Sequence, residues 1–350
     1  MQYLLYGANG YTAQLIIKES LKQGLQPILA GRNSAKIEAL GKEYELPYRI
    51  FDLDDPSNIE KQLQGINLCL NAAGPFSKTA LPLAKACIAT QTHYLDITGE
   101  VDVFEQVKAL HSNAEKAGVM LMPGVGFDVI PSDCLANFLK EKMPDAQSLE
   151  LAFTMVGGGI SHGTASTMVS QLGERGLVRE NGKLKKVGLA HKSKRINFGD
   201  FTRTMATIPW GDISTAYTST QIPNIEVYTN MPKRVIQLMK FQGLFNPILR
   251  TGLVKKLGQK WVDKNLYGPN EQQNQKGKSY LYGKASNGSQ SKSAILSCAE
   301  GYWLTALGSI HITKKVLQGD FKPGYQTPAM VYGWQLILEL EGSEIKEITI

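Results

Sequence analysis

The chain has 350 residues, enough for about two domains, and its 43% apolar and 20% charged composition is that of an ordinary globular protein. Its net charge of +7 sits in one segment, between Met231 and Lys264, and the rest of the chain sums to zero, which argues against a general nucleic-acid binder. No apolar run reaches the roughly 18 residues of a membrane span, Gly7 interrupts the start before a signal sequence could form, and four scattered cysteines without a C-x-x-C pair argue against zinc or a disulfide framework.

The expectation is a cytoplasmic protein with reduced thiols and no metal. From Gln2 to about Ser132 one rhythm repeats. Short apolar runs (Tyr3 to Tyr6, Pro27 to Ala30, Tyr48 to Phe51, Leu68 to Asn71, Tyr94 to Ile97, Val119 to Met122) alternate with helical patterns (Ala13 to Gly24, Ser34 to Tyr44, Ser57 to Leu63, Leu81 to Thr90, Val103 to Gly118). That alternation predicts a doubly wound α/β fold, a parallel sheet covered on both faces. After Asp133 longer extended stretches appear: Leu149 to Val156, Thr202 to Ile208, Ile213 to Thr220 and Glu226 to Asn230. A hairpin is expected from Lys278 to Cys298 around Asn287-Gly288. Helices are expected over Gly301 to Leu317 and Pro328 to Leu340, and a mobile loop over Asn270 to Lys278.

The first strand-to-helix turn reads YGANGYTA. Gly7, Gly10 and Ala13 are spaced as the small residues that let a dinucleotide's pyrophosphate approach backbone at a helix N-terminus, and Asn9, Tyr11 and Thr12 complete the turn. A tight turn with no ligand is the plain competitor. At the end of the second strand an NAD-specific domain carries an acid against the ribose hydroxyls. Here Arg32, Asn33 and Ser34 stand there instead, and an arginine suits the 2′-phosphate of NADP. A solvated surface arginine is the alternative. Asp52, after the third strand, either accepts from the adenine amino group or caps the helix that follows Pro56. Asn71, Ala72, Ala73, Gly74 and Pro75 follow the fourth strand with small side chains that leave room for ribose and nicotinamide.

Read in order, YGANGYTA, AGRN, NAAGPF, HYLDITGE and GVGFDVIPSD, with the later AEGYWLTALGSI and GYQTPAMVYG, resemble the saccharopine dehydrogenase-like oxidoreductases. The short length and basic middle look closer to that family's trans-acting enoyl reductase branch. The resemblance implies an NADP-binding Rossmann domain over 1–133 with contacts at Gly7, Gly10 and Arg32. It also implies a mixed α/β domain on a largely antiparallel sheet over 134–320, for substrate or dimerisation, and a return of 321–350 onto the first domain. The resemblance does not fix the substrate; the leading expectation is NADPH-dependent reduction of a C=C or C=N bond in a small or lipid-like substrate. A non-catalytic NADP-binding sensor or membrane-surface scaffold on the same fold is the other class, because fold alone does not fix function.

Chemistry in such a sheet belongs beyond the carboxyl ends of its strands. The turns there supply Gly124 as a further cofactor contact and Tyr94, Asp96, Glu100 and Asp128 as candidate proton carriers, each with a core or turn role as its alternative. His162, in GGGISHGTAST, is a fifth catalytic candidate beside these, or an incidental residue of a helix cap. The one Tyr-x-x-x-Lys match, Tyr280 to Lys284, falls in an expected strand and is set aside. Finally, the segment 231–264 mixes Lys233, Arg234, Lys240, Arg250, Lys255, Lys256, Lys260 and Lys264 with large apolar residues and the single acid Asp263. Such a segment either touches a membrane surface or packs on the second domain or a second copy.

Overall fold

The computed structural model describes residues 2–159, 161–266, 268 and 276–348. The chain divides into two compact units, residues 1–130 with 302–331 and residues 131–301 with 332–350.

The first unit is the doubly wound sheet. Its strands are β1 (Tyr3–Tyr6), β2 (Ile28–Gly31), β3 (Tyr48–Ile50), β4 (Leu68–Asn71), β5 (His93–Asp96), β6 (Met120–Met122) and, from the far end of the chain, β15 (Gly324–Tyr325). They lie in the order β15-β6-β5-β4-β1-β2-β3, all parallel. Helices α1 (Tyr11–Lys22), α2 (Ser34–Glu43), α3 (Pro56–Leu63), α4 (Phe76–Ala89), α5 (Val101–Lys108) and α6 (His111–Ala117) make the crossovers. Strands β1, β2 and β4 are buried along their whole length, which is why their sequences read as unbroken apolar runs. The strand order reverses between β1 and β4, and that switch point opens the crevice at the carboxyl edge.

The second unit begins with α7 (Ile130–Lys142) and is built on a nine-stranded sheet. Its strands are β7 (Ser148–Val156), β8 (Gly176–Glu180), β9 (Lys183–Val187), β10 (Ser193–Asn197), β11 (Thr202–Thr207), β12 (Asn224–Asn230), β13 (Lys278–Ser286), β14 (Ser291–Ala299) and β16 (Glu344–Ile348). The main path runs β10-β11-β12-β7-β13-β14-β16, with β8 and β9 attached beside β12. Only the β12–β7 pair on that path is parallel; the β13–β14 hairpin closes at Asn287-Gly288, with Ser286 opposite Ser291. Helices α8 (His162–Ser170), α9 (Asp212–Thr220), α10 (Lys233–Phe241), α11 (Asn246–Leu249) and α12 (Gly252–Asn265) belong to this unit, whereas α13 (Gly301–Leu317) and α14 (Pro328–Tyr332) belong mostly to the first.

Four expectations differ from the structure. The helical pattern over Val103 to Gly118 forms two helices, α5 and α6, separated at Ala109-Leu110. Ile213 to Thr220, expected to be extended from its alternating branched residues, forms helix α9, which buries Ile213 and Ala216 and is tied to α7 by Ser132 donating to Asp212 and Ser219 donating to Asp133 Oδ1. The helix from Pro328 ends at Tyr332, since Gly333 takes φ of 74°, and residues 334–339 continue as a 3-10 turn. The return of 321–350 is divided: β15 joins the first sheet, while β16 pairs antiparallel with β14 in the second. The loop expected over Asn270 to Lys278 lies for the most part outside the described residues.

Candidate dinucleotide site at the switch point

Gly7 leaves β1 with φ of +82°, a region that disfavours any side chain. A Cβ there would fall 2.7 Å from the backbone nitrogen and the Cβ of Ala73. Gly7 and Ala73 thus lie against each other across the switch point, and glycine is the residue that fits. The turn is held by Gly7 and Ala8 N–H groups donating to the Ala30 carbonyl at 2.8 and 3.1 Å, and by Gly10 N–H donating to the Gly7 carbonyl at 2.9 Å. Gly10 is the N-cap of α1 and supplies no capping side chain, so the first turn of this helix presents backbone rather than a bonded side chain. Tyr11 and Thr12 open that turn half-buried, Tyr11 with its ring edge-on to Tyr302 at 5.3 Å, and Ala13 is buried.

Asn9 lies beside the end of β2, with its Oδ1 3.6 Å from where a Cβ on Gly31 would stand. Arg32, Asn33 and Ser34 follow at the same edge and are exposed. The Asn33 side chain accepts from Lys36 N–H at 3.0 Å and caps α2, so its oxygen has a structural duty. Asp52 is exposed past β3 and accepts from Asp54 N–H at 3.2 Å. The cap of α3 is Asp55, which accepts from Ser57 N–H, and this removes the plain alternative for Asp52.

Beyond β4, the Asn71 side chain shapes its own turn. Its Oδ1 accepts from Ala73 N–H at 3.0 Å, and its Nδ2 donates to Thr79 Oγ1 at 3.1 Å and to Tyr94 OH at 3.2 Å. Thr79, which the sequence did not single out, donates to the Ala73 carbonyl at 2.7 Å. Tyr94 donates to Asp96 Oδ2 at 2.7 Å, and Asp96 Oδ1 accepts from Thr98 and Gly124 N–H at 2.9 and 3.0 Å. A single chain of hydrogen bonds therefore ties the ends of β4, β5 and β6 together. Glu100 adds a link, accepting from Phe76 N–H at 3.0 Å.

Asn71, Tyr94 and Asp96 are fully buried. Burial pushes the Asp96 carboxyl up to about 6 against three donors that pull it down, and it pushes the Tyr94 phenol far above its ordinary range. These two side chains hold the edge rather than face it. Asp128 is different: it is partly exposed, its carboxyl lies beside Gly99, where a Cβ would stand 2.7 Å from Oδ2, and burial pushes it up to about 7. Thr305 on α13 steadies this turn: its Oγ1 accepts from Phe127 N–H at 3.0 Å. Thr305, like Thr79, carries no sequence signal, because a lone threonine far along the chain has no spacing to mark it.

His162 lies in the second unit, at the first position of α8. Its Nε2 is 2.8 Å from Asp263 Oδ1 on α12, and the cap of α8 is Ser161, which accepts from Thr164 N–H. Its ring thus bridges two helices of that unit.

A glycine turn running into a helix N-terminus at the switch point of a parallel sheet defines a nicotinamide-dinucleotide-binding protein of the doubly wound class. Residues 3–122 match the family model described as the saccharopine dehydrogenase NADP binding domain. The chain is 26% identical over 204 residues to the saccharopine dehydrogenase-like oxidoreductase of Rattus norvegicus, covering 51% of this chain and 48% of that protein. It is 27% identical over 161 residues to the trans-acting enoyl reductase of Mycobacterium ulcerans, covering 44% and 38%. The chain thus spans about half the length, or less, of these curated relatives. In fold it is similar to apo saccharopine dehydrogenase (L-Glu forming) from Saccharomyces cerevisiae, with a TM-score of 0.67, 12% identity and coverage of 99% and 100%. It is likewise similar to homospermidine synthase from Legionella pneumophila in complex with NAD, with a TM-score of 0.66, 9% identity and coverage of 99% and 91%.

Proposed function

We propose that the chain is an NADPH-dependent reductase that transfers hydride to a C=C or C=N bond of a small or lipid-like substrate. The observation that carries this reading is the glycine turn of Gly7 and Gly10 against Ala73, with Arg32 rather than an acid at the end of β2. The residues fit the dinucleotide: the backbone of Gly7 to Ala13 takes the pyrophosphate, with Asn9 at its side. Arg32 and Ser34 take the adenosine 2′-phosphate, Asp52 the adenine, and Asn71 to Pro75 with Gly124 the ribose and nicotinamide. When bound, reduced nicotinamide supplies hydride to an electrophilic carbon.

The chain's own groups then position and protonate. Asp96 orients Thr98 and Gly124, and Tyr94 locks Asp96, so both are positioning residues. Asp128, with a carboxyl near neutral and partly exposed, is the group that holds the proton for the carbon or nitrogen that becomes basic as hydride adds. The relatives named trans-acting enoyl reductases favour C=C, and the saccharopine dehydrogenase-like name favours C=N. The test is substrate-dependent loss of reduced-nicotinamide absorbance across enoyl, imine and keto panels, with NADPH and NADH compared. Tight NADPH binding with no turnover on any panel would replace this reading with the non-catalytic sensor.

A further inference from the structure

In the segment 231–264, helix α12 is turned inside out relative to an ordinary surface helix, which buries its apolar stripe and shows its polar face. Helix α12 docks on α8 with its polar side. Gln259 Nε2 donates to Ser166 Oγ at 2.9 Å, Lys255 Nζ donates to the Ser170 carbonyl at 2.6 Å, and Asp263 meets His162. Gly258 allows the close approach, since a Cβ there would stand 3.0 Å from Val169. These positions, with buried Val262, share one side of the helix at about 100° per residue.

The opposite side carries Leu253, Leu257 and Trp261 at a spacing of four, and Leu253 and Trp261 are 69% and 60% exposed. Helix α10 packs apolar groups inward, Ile236 and Met239 against Ala190 and Ala206, and still leaves Val235, Leu238 and Phe241, at a spacing of three, exposed. Between the two helices Leu244, Phe245 and Ile248 are exposed as well. A contiguous stretch of chain thus offers large apolar side chains outward, far more than scattered surface leucines require. The cations lie where such a surface needs them. Lys256, Lys260 and Lys264 follow Leu253, Leu257 and Trp261 by three residues each and flank that stripe.

We infer that this face of α10 to α12 seats on an anionic lipid surface, with Leu253, Leu257, Trp261, Leu238 and Phe241 entering the headgroup boundary and the flanking lysines meeting lipid phosphates. Charge complementarity selects the occupant. Lys255 and Arg250 are engaged within the chain by Ser170, Gly173 and Glu174, but Lys256, Lys260 and Lys264 flank the exposed stripe, so a second copy docked on the same face would bring like charge against it. A sheet of anionic headgroups neutralises it instead. The short helices, broken by Gly243, Pro247 and Gly252, can lie along an interface, and among the described residues no helix is long and apolar enough to cross a membrane.

The experiment is sedimentation of the full chain with vesicles of phosphatidylcholine alone and with phosphatidylglycerol added, followed also by tryptophan emission. The expected result is binding at least about tenfold tighter to the anionic vesicles, weakening with salt, with a blue shift that disappears in Trp261→Ser. The combined variant Leu253→Ser, Leu257→Ser, Trp261→Ser loses about tenfold or more, and Lys256→Glu with Lys260→Glu abolishes the anionic preference. Both variants keep the thermal midpoint and NADPH binding of the parent, because the replaced side chains are exposed. Equal binding by parent and apolar variant, or no binding to either vesicle, overturns the proposal. So does sedimentation velocity that finds a parent dimer and a monomeric apolar variant, which would make the face a contact between copies.

Discussion

Asp96→Asn tests whether burial or hydrogen bonding controls the edge of the sheet. Three donors, Thr98 N–H, Gly124 N–H and Tyr94 OH, favour the Asp96 carboxylate, while complete burial favours the neutral acid; burial wins and lifts the group from 3.8 to about 6. Between those values the folded protein holds a proton that the unfolded chain has already released. Stability conferred by this group therefore falls as pH rises through that window and levels off above about 6. The displacement corresponds to about 3 kcal/mol. An amide does not titrate, so the parent loses about 3 kcal/mol relative to Asp96→Asn between about pH 4 and about pH 7. Urea unfolding across this range, read by hydrogen exchange at Leu95 and Leu121 amides so that it reports on the first unit, measures the difference. A difference that stays flat with pH, or that grows in the parent's favour as pH rises, refutes the account, since it would mean the donors outweigh burial.

Arg32→Glu is expected to weaken NADPH binding on the order of a hundredfold by setting a carboxylate against the 2′-phosphate, and to leave NADH nearly unaffected; fluorescence titration with both cofactors checks it. Gly7→Ala places a side chain at φ of +82° and 2.7 Å from Ala73 backbone that Asn71 holds in place, so it should cost about 2–4 kcal/mol in stability and abolish dinucleotide binding. Asp128→Asn should lower turnover and remove the decline in rate as pH rises through about 7, which is the signature of a required neutral acid; an unchanged pH profile would exclude Asp128 as the proton carrier. Thr79→Val should loosen the Asn71 turn by about 1–2 kcal/mol and raise the KM for NADPH more than it lowers kcat, because Thr79 acts through Ala73 rather than on the substrate.

The local grammar of the chain fixed a good deal. Apolar runs buried on both faces marked β1, β2 and β4, a glycine turn marked their switch point, and Asn287-Gly288 marked the hairpin, because each is a short-range steric or solvation requirement that residues impose on their neighbours. What depended on partners distant in sequence was not legible. Ile213 to Thr220 has the residues of a strand but forms a helix that Ser132 and Asp133, some 80 residues earlier, hold through Asp212 and Ser219. Asp96 and Asp128 are both acids at strand-end turns, yet one is sealed in a network with Asn71 and Tyr94 and the other stands partly open beside Gly99. Composition revealed that 231–264 is basic and apolar, but an amphipathic helix has two sides and its sequence does not say which is covered. Docking of Gln259, Lys255 and Asp263 onto α8 decided that the polar side faces the protein and the leucines face out. Periodicity is a property of the helix alone, whereas the choice of buried face belongs to the tertiary contacts that compete for it.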